Sequence, residues 1–203
     1  MRKRRLTSEY VLSPEYVMDV LRSPQDAIEP WSCYSSLVYL IPAVAAAAVA
    51  HEVLLTVAAV MLAFTSAVYH ATKDWRYRHL DVGFMFATLA LLPTAFDPAY
   101  YVVSVPVAGA LSYMVYQSYN GNRVFCSTWV VGIMGVTILA LAFVHVPAGV
   151  VVIAGLFLLY GAVIRYFEPD DWGSSRVRWD LMHSFWHVLT ATGLTLLILG
   201  GSA

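Results

Sequence analysis

Val53-Leu-Leu-Thr-Val-Ala-Ala-Val-Met-Leu-Ala-Phe-Thr-Ser66-Ala-Val-Tyr-His70 decides the fold of this chain. The run carries no Asp, Glu, Lys, Arg, Gly or Pro, and it closes on a serine and a histidine four positions apart. On a helix that spacing stacks both side chains on one face, one turn apart. With its flanks the run covers 53–72, the roughly 20 residues needed to cross a bilayer. A histidine embedded at such depth is costly and calls for a partner.

Working outward, further apolar segments lie at about 33–50, 80–96, 99–117, 127–145, 147–166 and 179–200. With 60% hydrophobic and 12% charged residues in 203, the chain has too little polar surface to cover a water-soluble globule. The expected fold is all-α: a polytopic membrane protein with a seven-transmembrane-helix bundle at 33–203, preceded by a basic interfacial segment at 1–32.

Charge supplies an independent count of the spans. The 12 Lys and Arg residues all fall in the N-terminal segment or in even-numbered loops, among them Arg22, Lys73, Arg76, Arg78, Arg123, Arg165, Arg176 and Arg178. By the positive-inside rule this puts the N-terminus in the cytoplasm and the C-terminus outside. The acidic residues Glu9, Glu15, Asp19, Asp26 and Glu29 interrupt 6–32, so no cleavable signal is expected there. Ser13-Pro14 and Ser23-Pro24 read as caps of two short surface helices; a partly ordered tail used only for topology fits equally. Cys33 and Cys126 fall near cytoplasmic helix ends, where a structural disulfide is not expected.

On this topology Ser66, His70, Asp81, His183 and His187 all come to the cytoplasmic leaflet, from segments two, three and seven. Each has a plainer reading. Ser66 could be helix-packing glue, His70 a structural interfacial histidine, Asp81 the cap of the third helix, and the His183/His187 pair an interhelical hydrogen-bond pair. Taken together, three imidazoles with a carboxylate and a hydroxyl are the inventory of an open zinc site. His51 and His145 belong to the opposite face, and His79 reads as a solvated residue of the basic loop.

The stretch Ser66-Ala-Val-Tyr-His70-Ala-Thr-Lys-Asp-Trp-Arg-Tyr-Arg-His-Leu-Asp81, with His183-Ser-Phe-Trp-His187-Val-Leu-Thr, resembles the alkaline ceramidases of the CREST superfamily of seven-helix membrane hydrolases. Glu29-Pro-Trp-Ser-Cys-Tyr-Ser-Ser36 is similar in outline to that family's first-helix entry. The acidic, Trp- and Asn-containing calcium cluster that eukaryotic ceramidases place before the first helix has no counterpart in 8–28 beyond Glu29. The wording around His183 is also similar to other CREST lipid hydrolases and to the progestin and adiponectin receptors.

The resemblance implies a zinc-dependent amidohydrolase that cleaves ceramide-like lipids to a fatty acid and a sphingoid base. It implies His70, His183 and His187 as Zn2+ ligands, Asp81 as general base and Ser66 as a hydrogen-bond donor to the reacting oxygens. A zinc with three imidazoles keeps a fourth position for water and lowers its pKa toward about 7. The expected partners are a membrane lipid and the bilayer, with no nucleic acid; oligomeric state is left open. The setting would be a bacterial inner membrane or an endomembrane, with the site facing the cytoplasm. A zinc-containing receptor or scaffold is the alternative, because the same ligands can hold a structural metal.

Overall fold

The computed structural model describes residues 29–119, 127–166 and 176–202, and among these there is no strand. The two short helices expected near 13 and 23 lie outside the described residues. Among the described residues seven helical rods follow one another: α1 (Pro30–Ala50), α2 (Val53–Thr72), α3 (Trp75–Leu91), α4 (Tyr101–Tyr119), α5 (Ser127–His145), α6 (Ala148–Tyr166) and α7 (Arg176–Gly201). Among the described residues four stretches are long and apolar enough to cross a membrane: Pro30–Ala50, Val53–Thr72, Pro98–Gln117 and Asp180–Gly201. Val130–His145 and Ala148–Ile164 are apolar but shorter.

Local chemistry explains the irregular rods. Pro30 opens α1, where its fixed φ suits a first turn and its missing N–H costs nothing. Pro42 then deprives the turn before it of a donor, and Leu37–Tyr39 tightens into a 3₁₀ turn ahead of Leu40–Ala45. A π turn at Ala46–Ala50 closes α1 on His51, whose backbone is left-handed.

The packing is that of a membrane protein. Leu55, Leu62, Phe86, Leu92, Leu197 and Ile198 are buried, while Val44, Val102, Val144 and Leu156 point outward. Small residues set the closest approaches: Ala43, Ala45 and Ala46 are buried along α1, and Gly193 of α7 lies against Leu158 of α6. Helices α1, α2 and α7 pack on one another; α3 lies against α2, α4 against α3, and α6 against α7.

The helix directions gather the start of α1, the end of α2, and the starts of α3 and α7 at one end. The Glu29 N–H donates to the His70 carbonyl at 3.1 Å and fastens the first two. At the opposite end His145 Nε2 meets the Tyr100 hydroxyl at 3.0 Å, and Tyr101 hydrogen-bonds Glu52. His145 is thus remote from the histidines of α2 and α7, in line with its expected place.

Two expectations need correcting. Helix α3 starts at Trp75 rather than near 80, so His79 belongs to a helix, half-buried with its ring 6.3 Å from that of Tyr116. The helix continues past its apolar stretch because Tyr77, Arg78 and His79 are compatible with helical backbone on a half-exposed rod; hydropathy stops where the charges begin, and the hydrogen-bonded ladder does not. For the same reason Asp81 sits in the second turn of α3 and cannot be its N-cap.

Candidate metal centre

His70 comes from the last turns of α2, while His183 and His187 sit one turn apart on α7, and all three are buried. Their ring centroids form a triangle of 4.8 Å (His70–His183), 5.3 Å (His70–His187) and 4.7 Å (His183–His187). One ring nitrogen from each lies within 4.8 Å of the other two, so the three can hold a metal ion. Bound at about 2.0–2.1 Å in a tetrahedral site, such nitrogens stand roughly 3.4 Å apart. A modest inward closure of the rings is enough.

The hydrogen bonds decide which nitrogen faces the metal. His70 Nδ1 lies 2.6 Å from Glu29 Oε2, and Glu29 is fully buried. A carboxylate only accepts, so Nδ1 carries the proton and Nε2 keeps its lone pair. His70 Nε2 is buried and has no hydrogen-bond partner. An unsatisfied buried acceptor costs about 1–3 kcal/mol, and a metal ion would satisfy it. The histidine backed by a carboxylate is the arrangement that orients metal-binding imidazoles.

His187 follows the same logic with a hydroxyl. Its Nδ1 is 2.9 Å from Ser35 Oγ, which itself donates to the Ser32 carbonyl at 3.2 Å. Ser35 therefore accepts from Nδ1–H and leaves Nε2 for the metal. Tyr39 stands edge-on to the same ring at 5.6 Å, its hydroxyl fixed on Thr190 at 2.7 Å. Trp186 flanks His183 at 5.1 Å.

Ser66, one turn before His70, is buried and lies 3.0 Å from Ser36 Oγ. Asp81 of α3 lies beside it, which brings α3 to the cluster. Asp81 is not among the mutually close metal-ligating atoms. Its carboxylate can act beside a bound metal rather than on it.

Several residues of the site escaped the sequence reading. Asp180 is buried and accepts from the Trp31 N–H at 3.1 Å, the Ser32 N–H at 2.8 Å and the Ser32 hydroxyl. It caps α1 from another helix, since Glu29 provides no side-chain cap. Ser32, Ser35 and Ser36, at the i, i+3, i+4 spacing of one helix face, were visible as a pattern without an assigned task. Glu29 was visible only as a candidate calcium residue; here it contacts His70 and Lys73 instead.

Comparison of the chain with protein-family models, with characterised proteins and with solved structures finds no match.

Proposed function

We propose that the protein is a zinc-dependent lipid amidohydrolase of the inner leaflet, with ceramide-like N-acyl lipids as its substrate class. The observation that carries this reading is the buried His70/His183/His187 triad, whose His70 Nε2 lacks a partner while Glu29 and Ser35 turn two of the imidazoles toward a common centre. A set of neutral imidazoles favours zinc among the divalent ions that it could take. Zinc bound there would supply a Lewis acid and an activated water.

The remaining work falls to the chain. Asp81 accepts the proton of the attacking water and returns it to the departing amine nitrogen, so the amide C–N bond breaks as the new C–O bond forms. Ser66, beside Asp81, can hold the carboxylate in place or donate to the developing oxyanion. An acyl chain lying between apolar helices brings the scissile carbonyl to this depth, a benefit that a soluble substrate lacks. In this reading all seven helices span the membrane, with the N-terminus and the site toward the cytoplasm.

The test is direct. Purified protein should carry about one zinc and release fatty acid from an N-acyl sphingoid base, and His183→Ala or His187→Ala should abolish both. Zinc without any hydrolysis across amide and ester lipids would favour a structural metal in a receptor or scaffold; no metal in folded protein would end the assignment.

A further inference from the structure

Lys73 stands where a helix usually ends on glycine. It is the residue after α2, with a left-handed backbone at φ 54° and its N–H returned to the Tyr69 carbonyl. A side chain is disfavoured there, and glycine would adopt the conformation freely. Among the described non-glycine residues only His51 and Lys73 have positive φ, and only Lys73 adjoins the triad. A strained backbone next to a functional site invites the question of what its side chain supplies.

The side chain folds back over the end of α2. Its ammonium pairs with the fully buried Glu29, lies 3.5 Å from His70 Nδ1 and sits 4.8 Å from the centroid of the Tyr69 ring. Only a fifth of the lysine is exposed. Glu29 places one oxygen, Oε2, on both His70 and Lys73, while Oε1 is buried without a hydrogen-bond partner. A buried carboxylate needs its oxygens held by donors, and Lys73 shares Oε2 with His70. Its use to His70 depends on that placement, because the acceptor at Nδ1 fixes the tautomer and orientation of the ring.

Building on the proposed metal site, we infer that Lys73 is a positioning residue for that site, acting through Glu29 on His70. The left-handed turn aims the ammonium at Glu29, the ammonium holds the Glu29 carboxylate in place, and Glu29 presents His70 Nε2 to the metal. Lys73 touches neither the metal nor the lipid. Its ε-amine is a point charge on a flexible stem, so arginine can replace it in part, whereas an uncharged residue cannot.

The experiment measures zinc affinity in detergent-solubilised protein by competition with a chromophoric chelator, with no turnover needed. Lys73→Gly suits the turn, so a purely structural role predicts unchanged or better metal binding. The inference predicts a loss of about 10–100-fold, with substantial recovery in Lys73→Arg. Glu29→Gln should lose a similar factor, and Lys73→Gly added to Glu29→Gln should cost little more, because the route through Glu29 is already cut. Wild-type affinity in Lys73→Gly, or a further tenfold loss in the double variant, overturns the proposal. If Lys73→Gly does not fold, Lys73→Asn replaces it in both comparisons with the same expected losses, since asparagine also tolerates a left-handed turn and carries no charge. Wild type that binds no zinc fails the metal site and this inference together; wild type that binds zinc while the uncharged Lys73 variant is unaffected fails the inference alone.

Discussion

Replacing Asp180 with alanine tests whether α1 is held in place from α7. Asp180 is buried and accepts two backbone N–H groups and one hydroxyl from Trp31 and Ser32, across 148 residues of sequence in the Ser32 bonds. Alanine strands the buried Ser32 N–H at about 1–3 kcal/mol, while the Ser32 hydroxyl keeps the backbone carbonyl of residue 180 at 3.2 Å and the half-open Trp31 N–H recovers part of its loss from water. The expected cost is about 2–3 kcal/mol. Asp97→Ala provides the scale, since Asp97 caps an exposed turn through the Ala99 N–H at 2.8 Å and should cost about 1 kcal/mol. Both are measured by equilibrium unfolding in detergent micelles with chelator present, so that no bound metal contributes. Zinc affinity of Asp180→Ala should also fall, because α1 carries the Glu29 and Ser35 partners of the histidines. Equal destabilisation by the two variants would refute the cap, and unchanged zinc affinity would refute its link to the site.

Three other outcomes are expected. Asp81→Asn should retain zinc and lose most hydrolysis, since the amide keeps the shape but lacks the basic oxygen; Ser66→Ala should lose on the order of 10²-fold if it serves the oxyanion, and wild-type turnover in Asp81→Asn would remove the general-base role. A methyl group at Gly193 would stand 2.8 Å from Leu158 Cγ and 3.1 Å from the Ala154 carbonyl oxygen, whereas one at Gly135 meets nothing within 4 Å; Gly193→Ala should cost about 1–3 kcal/mol and Gly135→Ala should stabilise by about 0.5–1 kcal/mol, a ranking that thermal unfolding checks. In vesicles, a membrane-impermeant thiol reagent should label Arg76→Cys from the cytoplasmic side and His145→Cys from the other, in a background of Cys33→Ser and Cys126→Ser; the reverse pattern would invert the topology.

The sequence was most legible where one physical force acts alone. Apolar length placed the helices of 53–72 and 127–145 at the bounds that the backbone adopts, because burial in lipid and helix formation coincide there. It failed at the start of α3, where Arg78 and His79 continue the helix beyond its apolar part. The histidine triad was legible from the four-residue spacing and the shared end. Its supports were not: Glu29 meets His70 across 41 residues, and Ser35 meets His187 across 152. A carboxylate, a serine and a lysine at helix ends have many ordinary uses, and only tertiary contact selects one. Asp180 shows the limit, because an acid in the early turns of α7 would serve that helix's own dipole and nothing local points to α1.

The placement of charge at this end of the bundle suits the helix ends that form the site. Glu29 and Asp180 flank the N-termini of α1 and α7, and Asp81 lies in the early turns of α3, so each ionised carboxylate faces the positive end of a helix dipole. Lys73 and His70 lie at the C-terminus of α2, where the dipole favours a cation. The dipoles therefore suit these groups, at about 0.3–1 kcal/mol each. Each carboxylate also has partners of its own: Lys73 pairs with Glu29, Lys73 and Arg78 act on Asp81, and the Trp31 and Ser32 N–H groups hold Asp180. A metal at the imidazole centre would join α2 to α7, and its binding would be coupled to the stability of the helix ends that form the site.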